Sequence, residues 1–281
     1  MSPENWSRLL ILSTQTKKPQ KPSNKVLDLL AKHNGWLVVV TIAIILVAWS
    51  IVVSVSRVPS FLLPSPAGVW DKFQTILADG TLLSNALITL YEVLLGLFMG
   101  SVAAMTLGYW LAKSRLMEKI LSPYLVASQA IPVVAIAPLL VIWFGSGIFS
   151  KILICSLTVF FPVLVNTMIG FRAVPDNLRD LMRSLRATRW QKLRFLEIPA
   201  ALPVLFGGLR IGATLSVIGA VVGEFVGSDR GLGFLINVGR GQYDTALVFV
   251  SIFTLILMAL MLYGLAMLAE KRATRWKAER H

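Results

Sequence analysis

Three charged side chains lie within long hydrophobic stretches of this sequence: Glu92, Arg210 and Glu224. An ionisable residue inside an apolar span is a functional candidate by default. Glu224 is therefore a candidate for a translocation pathway or gate, or for a structural bond to a neighbouring helix. Glu92 is a candidate for an outer interfacial charge or a pathway contact. Arg210 lies about 21 Å from Glu224 along a helix, too far to pair with it, and is expected to reach the aqueous interface.

Few other residues could support catalysis or metal binding. The chain has one cysteine, Cys155, and two histidines, His33 and His281. The sequence therefore predicts no disulfide, no metal cluster and no histidine-based triad, and it disfavours a membrane enzyme. Cys155 lies in an apolar run and is expected to be a small packing residue. No phosphate-binding loop or complete dinucleotide fingerprint is present, so the chain is not expected to hydrolyse ATP itself.

The composition indicates an integral membrane protein. Of the 281 residues, 56% are hydrophobic and 15% are charged, whereas about a quarter of the residues in a soluble domain are charged. Six apolar stretches, each long enough to cross a bilayer, predict an all-α polytopic membrane protein with six transmembrane helices. They are residues 36–55, 82–112, 121–143, 152–171, 202–226 and 246–268.

The distribution of basic residues predicts the orientation. If the N-terminus is cytoplasmic, 21 of the 27 Lys and Arg residues lie on the inner side and five on the outer side. This bias follows the positive-inside rule and explains most of the net charge of +13 without a nucleic-acid partner. We therefore expect a cytoplasmic N-terminal tail (1–35), a transmembrane domain (36–270) containing a cytoplasmic loop (172–200), and a cytoplasmic C-terminal tail (271–281).

The loop at 172–200 is too polar to lie in hydrocarbon. Residues 172–197 include seven Arg or Lys and three acidic residues, and 177–196 contain neither Gly nor Pro. The apolar residues at helical spacing are Leu178, Leu181, Met182 and Leu185. This pattern predicts an amphipathic helix that starts near Pro175-Asp176 and stops near Ile198-Pro199. Such a helix could lie on anionic lipid or dock against a partner protein.

The same loop resembles the cytoplasmic signature of ABC-importer permeases, E-A-A-x3-G-x9-I-x-L-P. Asp180-Leu181-Met182 stand at E-A-A, Arg186 stands at the glycine, and Leu196-Glu197-Ile198-Pro199 stand at I-x-L-P. In that family the helix is a coupling helix that docks in a groove of the ATPase subunit. The resemblance assigns this role to Asp180, Leu181, Met182, Arg183, Ser184, Leu185, Arg186, Ala187 and Thr188. Because Arg186 replaces the glycine that usually ends the helix, we expect the helix to run on past it.

A second stretch narrows the resemblance. Residues 131–145 read I-P-x-x-A-x-x-P-L-x-x-x-W-F-G. This pattern resembles permeases of the nitrate, sulfonate and taurine group and their thiamine-precursor and riboflavin relatives. Gln129, just before Pro132, could bind substrate or bridge helices. We therefore take Gln129, Pro132, Glu224 and Glu92 as candidate pathway residues.

Glycines in the second span predict close helix packing. Gly96, Gly100 and Gly108 are separated by multiples of four residues. Small residues at this spacing allow helices to approach closely, within one chain or between two copies.

The resemblance implies a type I ABC-importer permease fold in the bacterial inner membrane. It also implies a second permease copy, forming a homodimer, and two ATPase subunits that bind ATP and Mg²⁺. A periplasmic or lipid-anchored solute-binding protein would deliver the substrate, and no cofactor or metal is expected in this chain. The residues of these motifs resemble most the permeases of one substrate class. The resemblance therefore favours, as the substrate, a heterocyclic vitamin or precursor of the hydroxymethylpyrimidine, thiamine or riboflavin type. Nitrate, taurine or alkanesulfonate is the alternative substrate class, and a secondary transporter without an ATPase is the alternative type of protein.

Overall fold

A computed structural model describes residues 34–56 and 59–275, which form helices and no strands. In chain order the helices are α1 (Asn34–Ser56), α2 (Pro66–Ala78), α3 (Thr81–Lys113), α4 (Arg115–Gln129), α5 (Val133–Phe144), α6 (Ile148–Arg172), α7 (Asp176–Ser184), α8 (Arg189–Lys192), α9 (Ile198–Gly227), α10 (Leu232–Gly241) and α11 (Thr245–Ala273). A π-helical turn, Leu193–Glu197, joins α8 to α9. The chain divides into two units, residues 1–56 and 57–281.

The first unit is described by α1 alone. This helix has 23 residues and carries no charged side chain. At 1.5 Å per residue it is about 35 Å long, which is enough to cross the hydrocarbon core of a bilayer. Almost all of the predicted N-terminal tail (1–35) and most of the predicted C-terminal tail (271–281) lie outside the described residues.

The second unit contains four helical segments long and apolar enough to span a membrane, so that with α1 the described chain has five. The predicted span at 121–143 differs from expectation, because it consists of two shorter helices, α4 and α5, separated by a break at Ala130–Pro132. Pro132 has no N–H to donate, and its ring disfavours helical backbone at Ile131. The all-α architecture is confirmed, but the described residues contain five helices long and apolar enough to span a membrane instead of the six predicted.

Helix α6 lies at the centre of the second unit, between α3 and α9. Cys155 of α6 is fully buried, and a Cβ at Gly219 of α9 would lie 2.8 Å from its Cα. On the other side, Gly96 of α3 faces the Cys155 side chain. Added Cβ atoms at Gly100 and Gly108 would lie 2.6 Å and 2.8 Å from atoms of α6. The predicted packing roles of Cys155 and of the α3 glycines are therefore confirmed, and the glycine contacts are within the chain.

The two ends of the helix bundle differ in charge. At the end that we call the basic end, α3, α6 and α11 finish and α9 begins. Here Arg210 forms an ion pair with Glu270 (Nε to Oε2, 3.2 Å), and its guanidinium lies 5.9 Å from the centre of the Tyr263 ring. Arg210 was expected to extend to the interface, and the sequence did not indicate Glu270 as its partner. The opposite end carries α2 and α10, where Lys72 pairs with Asp244 at 2.6 Å.

Candidate docking surface and buried polar network

The predicted coupling helix is α7, and it ends earlier than expected. After Ser184 the chain turns back, with Arg186 in the left-handed region at φ 51°. The Ala187 N–H donates to the Met182 carbonyl at 3.0 Å, and the Arg186 N–H donates to the Arg183 carbonyl at 2.9 Å. These two bonds form a Schellman motif. The prediction that the helix runs past Arg186 is therefore wrong, because arginine adopts here the conformation that glycine usually supplies.

A second short helix follows this turn. Thr188 caps α8, since its hydroxyl accepts from the Gln191 N–H at 3.3 Å and its own N–H donates to the Gln191 side chain at 2.8 Å. This reciprocal arrangement is a capping box. The loop at 172–200 is therefore two helices and a π-helical turn, rather than the single helix that the absence of Gly and Pro predicted.

The apolar side of α7 is exposed. No residue of α7 is buried, and Leu181 and Leu185 are 54% and 68% exposed. We call Leu178, Leu181 and Leu185 the docking surface. Beside it, Arg183 pairs with Asp180 at 2.8 Å, and both side chains remain largely exposed. An apolar patch bordered by charged groups is typical of a surface that a partner protein covers.

Ionic and hydrogen bonds attach this segment to the bundle. Arg179 of α7 donates to the Phe171 carbonyl at the end of α6, at 2.9 Å. Glu197, buried in the π-helical turn, forms an ion pair with Lys113 at the end of α3. The docking surface is thereby tied to two membrane-spanning helices.

At the opposite end, Glu224 of α9 is fully buried and caps a helix. Its Oε1 accepts from the Thr89 hydroxyl at 2.6 Å, and its Oε2 accepts from the Gly233 N–H. The Leu232 N–H donates to the Thr89 Oγ1 at 2.8 Å, and the Gly231 N–H donates to the Asn85 Oδ1 at 2.7 Å. Three consecutive N–H groups at the start of α10 are therefore satisfied by side chains from α3 and α9.

This arrangement requires a glycine at position 231. Gly231 has φ 104°, and a Cβ there would overlap the Glu224 carboxyl group. The glycine thus allows both the turn into α10 and the close approach of the carboxyl group.

Glu92 lies in the same buried region. It is fully buried and interacts electrostatically with Glu224 and with Lys151 of α6. Lys151 is also buried, and its Nζ donates to the Ser146 carbonyl at 2.7 Å. Glu92 is therefore not exposed as an interfacial charge. At the end of the bundle opposite the docking surface, Glu224 thus joins α9 to α3 through Thr89, whereas neither carboxyl oxygen of Glu92 has a hydrogen-bond partner among the described residues.

A cavity of about 420 Å³ opens beside α5 and α6. Ile131 and Val133 line this cavity, so Pro132 lies at its edge. The rest of the lining consists of Thr158, Phe161 and Asn166 of α6 and four further apolar residues. Neither Glu92 nor Glu224 lines it, and the side chain of Gln129 lies outside what the structure describes. The predicted pathway residues therefore do not form one cluster.

Some functional candidates were missed by sequence reasoning. Asn85 and Thr89 were missed; with Glu92, which was predicted, they occur at i, i+4 and i+7 of α3, a spacing that places all three on one helical face. This row of polar residues within an apolar span could have identified them as functional candidates from the sequence. Thr158 and Asn166 gave a weaker signal, as polar residues within the span of α6.

Comparison with known proteins identifies the family. Residues 92–275 match the family described as "Binding-protein-dependent transport system inner membrane component". The chain is 48% identical over 239 residues to the riboflavin transport system permease protein RibX of Chloroflexus aurantiacus, covering 85% of this chain and 89% of that protein. It is 34% identical to the formylaminopyrimidine transport permease protein ThiX of Halalkalibacterium halodurans, covering 83% and 92% of the two chains. It is 32% identical to the taurine transport system permease protein TauC of Escherichia coli, covering 85% and 89%.

Solved structures agree on the fold. An inward-facing structure of the MetNI methionine ABC transporter aligns with a TM-score of 0.57 at 21% identity, covering 69% of this chain and 95% of that one. An amino acid ABC transporter aligns with a TM-score of 0.58 at 16% identity, covering 71% and 97%. The spanning helices and the exposed α7 agree with these matches. The chain belongs to the binding-protein-dependent transport system inner membrane component family and is a multi-pass permease subunit of an ABC importer.

Proposed function

We propose that this permease imports riboflavin or a closely related heterocyclic nutrient. The observation that carries the proposal is the 48% identity, over 85% of the chain, to a riboflavin permease. The identity to the formylaminopyrimidine and taurine permeases is lower, at 34% and 32%.

The cavity beside Pro132 supports this substrate class. Its described lining contains no Lys or Arg, and its polar side chains are those of Thr158 and Asn166. A mostly apolar wall with a few hydrogen-bonding groups suits an uncharged ring system, because an oxyanion would need donors or positive charge to replace its water. We propose that part of the pathway runs through this cavity, beside Pro132, and Gln129 stays a candidate pathway residue. Glu224, with Glu92 buried near it, then acts beyond the cavity, by holding the opposite end of the bundle in place.

The assembly follows the family pattern. Two copies of this chain would form the pathway, two ATPase subunits carrying ATP and Mg²⁺ would bind α7, and a solute-binding protein would deliver substrate at the opposite end. The basic end, which carries the loop at 172–200, would then be cytoplasmic, consistent with the excess of positive charge there.

Uptake of labelled substrates tests the substrate assignment. Cells expressing the complete transporter should accumulate labelled riboflavin, and excess unlabelled riboflavin should compete whereas taurine should not. Asn166→Leu should lower riboflavin uptake several-fold, because it removes a polar group from the cavity wall. The matched control is Thr254→Val in α11, whose hydroxyl bonds only to a carbonyl of its own helix. Uptake of taurine in place of riboflavin would overturn the assignment.

Copurification tests the ATPase partner separately. Leu181 is 54% exposed, so docking can bury about half of a side chain whose complete burial is worth ~1.5–3 kcal/mol. Leu181→Ala should therefore weaken ATPase binding about fivefold, and Leu181→Asp more than tenfold, because a charge would be buried without a partner. Leu116→Asp is the control, since Leu116 is 66% exposed at the same end of the bundle but outside the docking surface. Equal ATPase recovery with Leu181→Asp and with the unmodified chain would refute docking at α7.

A further inference from the structure

Two cavities of opposite character meet at the basic end. One, of about 290 Å³, is lined by the charged groups of Lys113, Arg179, Arg183, Lys192 and Glu197; we call it the basic cavity. The other, of about 400 Å³, is lined mainly by apolar side chains of α3 and α4, including Leu107, Trp110, Met117 and Leu121; we call it the apolar cavity.

Lys113 lines both cavities, so they share a wall. Its Nζ lies 5.3 Å from the centre of the Tyr109 ring, which belongs to the apolar cavity. Tyr109 in turn packs edge-to-face with Phe171 of the basic cavity, with ring centres 4.9 Å apart. The two cavities therefore lie side by side, with Lys113 in the wall between them, and one is charged where the other is apolar.

The charged part carries a surplus of positive charge. Its four cations face one carboxylate, that of Glu197, which is paired with Lys113. Arg179 and Arg183 pair with the exposed aspartates of α7, and Lys192 makes no ion pair with any described residue. Three of the four cations are therefore paired with carboxylates, and the remaining positive charge, on Lys192, favours an anionic ligand.

The position of the site identifies the kind of ligand. It lies where α3 ends, and Trp110 in the last turn is 71% exposed, as is typical of a tryptophan at the headgroup level of a bilayer. We propose that the two cavities bind one anionic phospholipid, with its headgroup phosphate in the basic cavity and an acyl chain in the apolar cavity. The lipid contacts α3 together with α7 and α8, so it holds the docking surface against the membrane-spanning helices.

Native mass spectrometry of the full-length chain in detergent tests the proposal. Titrated phosphatidylglycerol should bind as one tight molecule, about tenfold tighter than phosphatidylcholine of the same chain length. Lys192→Gln should weaken phosphatidylglycerol binding about fivefold, since it removes one positive charge from the headgroup. Lys119→Gln is the matched control, because Lys119 is an exposed lysine at the same end and lines neither cavity. If both variants weaken binding equally, general surface charge explains the affinity and the proposal fails.

A second variant separates the lipid from a free anion. Met117 is 52% exposed in the wall of the apolar cavity, and Met117→Trp should fill that cavity and weaken phosphatidylglycerol binding at least fivefold. Binding of inorganic phosphate should be unchanged in this variant. If Met117→Trp leaves lipid binding unchanged, the site binds a free anion and the lipid proposal is refuted. Displacement of the lipid by the ATPase subunit would also refute it, because the basic cavity would then belong to the protein interface.

Discussion

The hydroxyl of Thr89 should be worth far more to this fold than an ordinary buried hydroxyl. It donates to the Glu224 Oε1 at 2.6 Å and accepts the Leu232 N–H at 2.8 Å. Thr89→Val keeps the shape of the side chain but removes both bonds. The Leu232 N–H is then left buried without an acceptor at the start of α10.

The size of the effect follows from these two losses. A typical hydrogen bond contributes about 1 kcal/mol net, and a buried donor left unsatisfied costs about 1–3 kcal/mol more. Local opening at the start of α10 should therefore become easier by about 2–4 kcal/mol, or roughly 30- to 1,000-fold. Amide hydrogen exchange measured by mass spectrometry, on a peptide covering Gly231 to Gly241, should speed up accordingly.

Thr167→Val is the matched control. Thr167 is equally buried in a spanning helix, but its hydroxyl donates only to the Val163 carbonyl of the same helix, at 2.7 Å. That carbonyl keeps its backbone partner, so we expect a cost below about 1 kcal/mol and unchanged exchange near α10. If the two variants exchange alike in this peptide, the assignment of Thr89 as part of the α10 cap is incorrect.

Two further substitutions test the turn after α7 and the packing of α6. Arg186→Gly should raise the free energy of unfolding by about 0.5–1 kcal/mol, because a non-glycine residue in the left-handed region costs about 1–2 kcal/mol and glycine recovers part of this. Thermal unfolding of the full chain measures the change. A lower stability of the variant would contradict the observed turn. Gly219→Leu should destabilise the chain by at least about 1–3 kcal/mol, because its side chain would collide with the Cys155 backbone. Gly207→Leu in the same helix is the control, since nothing lies within 4 Å of a Cβ there, and equal melting temperatures of the two leucine variants would argue against this packing.

The parts of the fold that were predicted depend on local sequence. Apolar runs of about 20 residues are sufficient to identify spanning helices, and the spacing around Asp180 was sufficient to locate α7. The break at Pro132 was harder to predict, because Pro123 and Pro138 lie within helices while Pro132 stands at the start of one. The helix was predicted to continue past Arg186, because arginine disfavours the left-handed conformation. In the structure, backbone hydrogen bonds hold Arg186 in that conformation and the helix ends.

The buried network could be predicted only in part. Glu224 was recognised as important because a charge in an apolar span is costly. Its partners could not be inferred, because Thr89 is 135 residues away in the chain and the N–H groups that they cap belong to α10. Such pairings depend on how helices pack, which a single sequence does not encode as a local pattern.

The packing of α6 determines how movement can pass through this molecule. Because Gly96 and Gly219 bring the backbones of α3 and α9 against Cys155, the three helices cannot slide past one another without steric overlap. We expect these three helices to move as one rigid unit about 37 Å long, the length of the 25-residue α6. Lys113 and Phe171, at one end of this unit, bind Glu197 and Arg179 of the loop at 172–200. We therefore expect a displacement of α7 to move the Glu224 cap together with the three helices, with its hydrogen bonds kept.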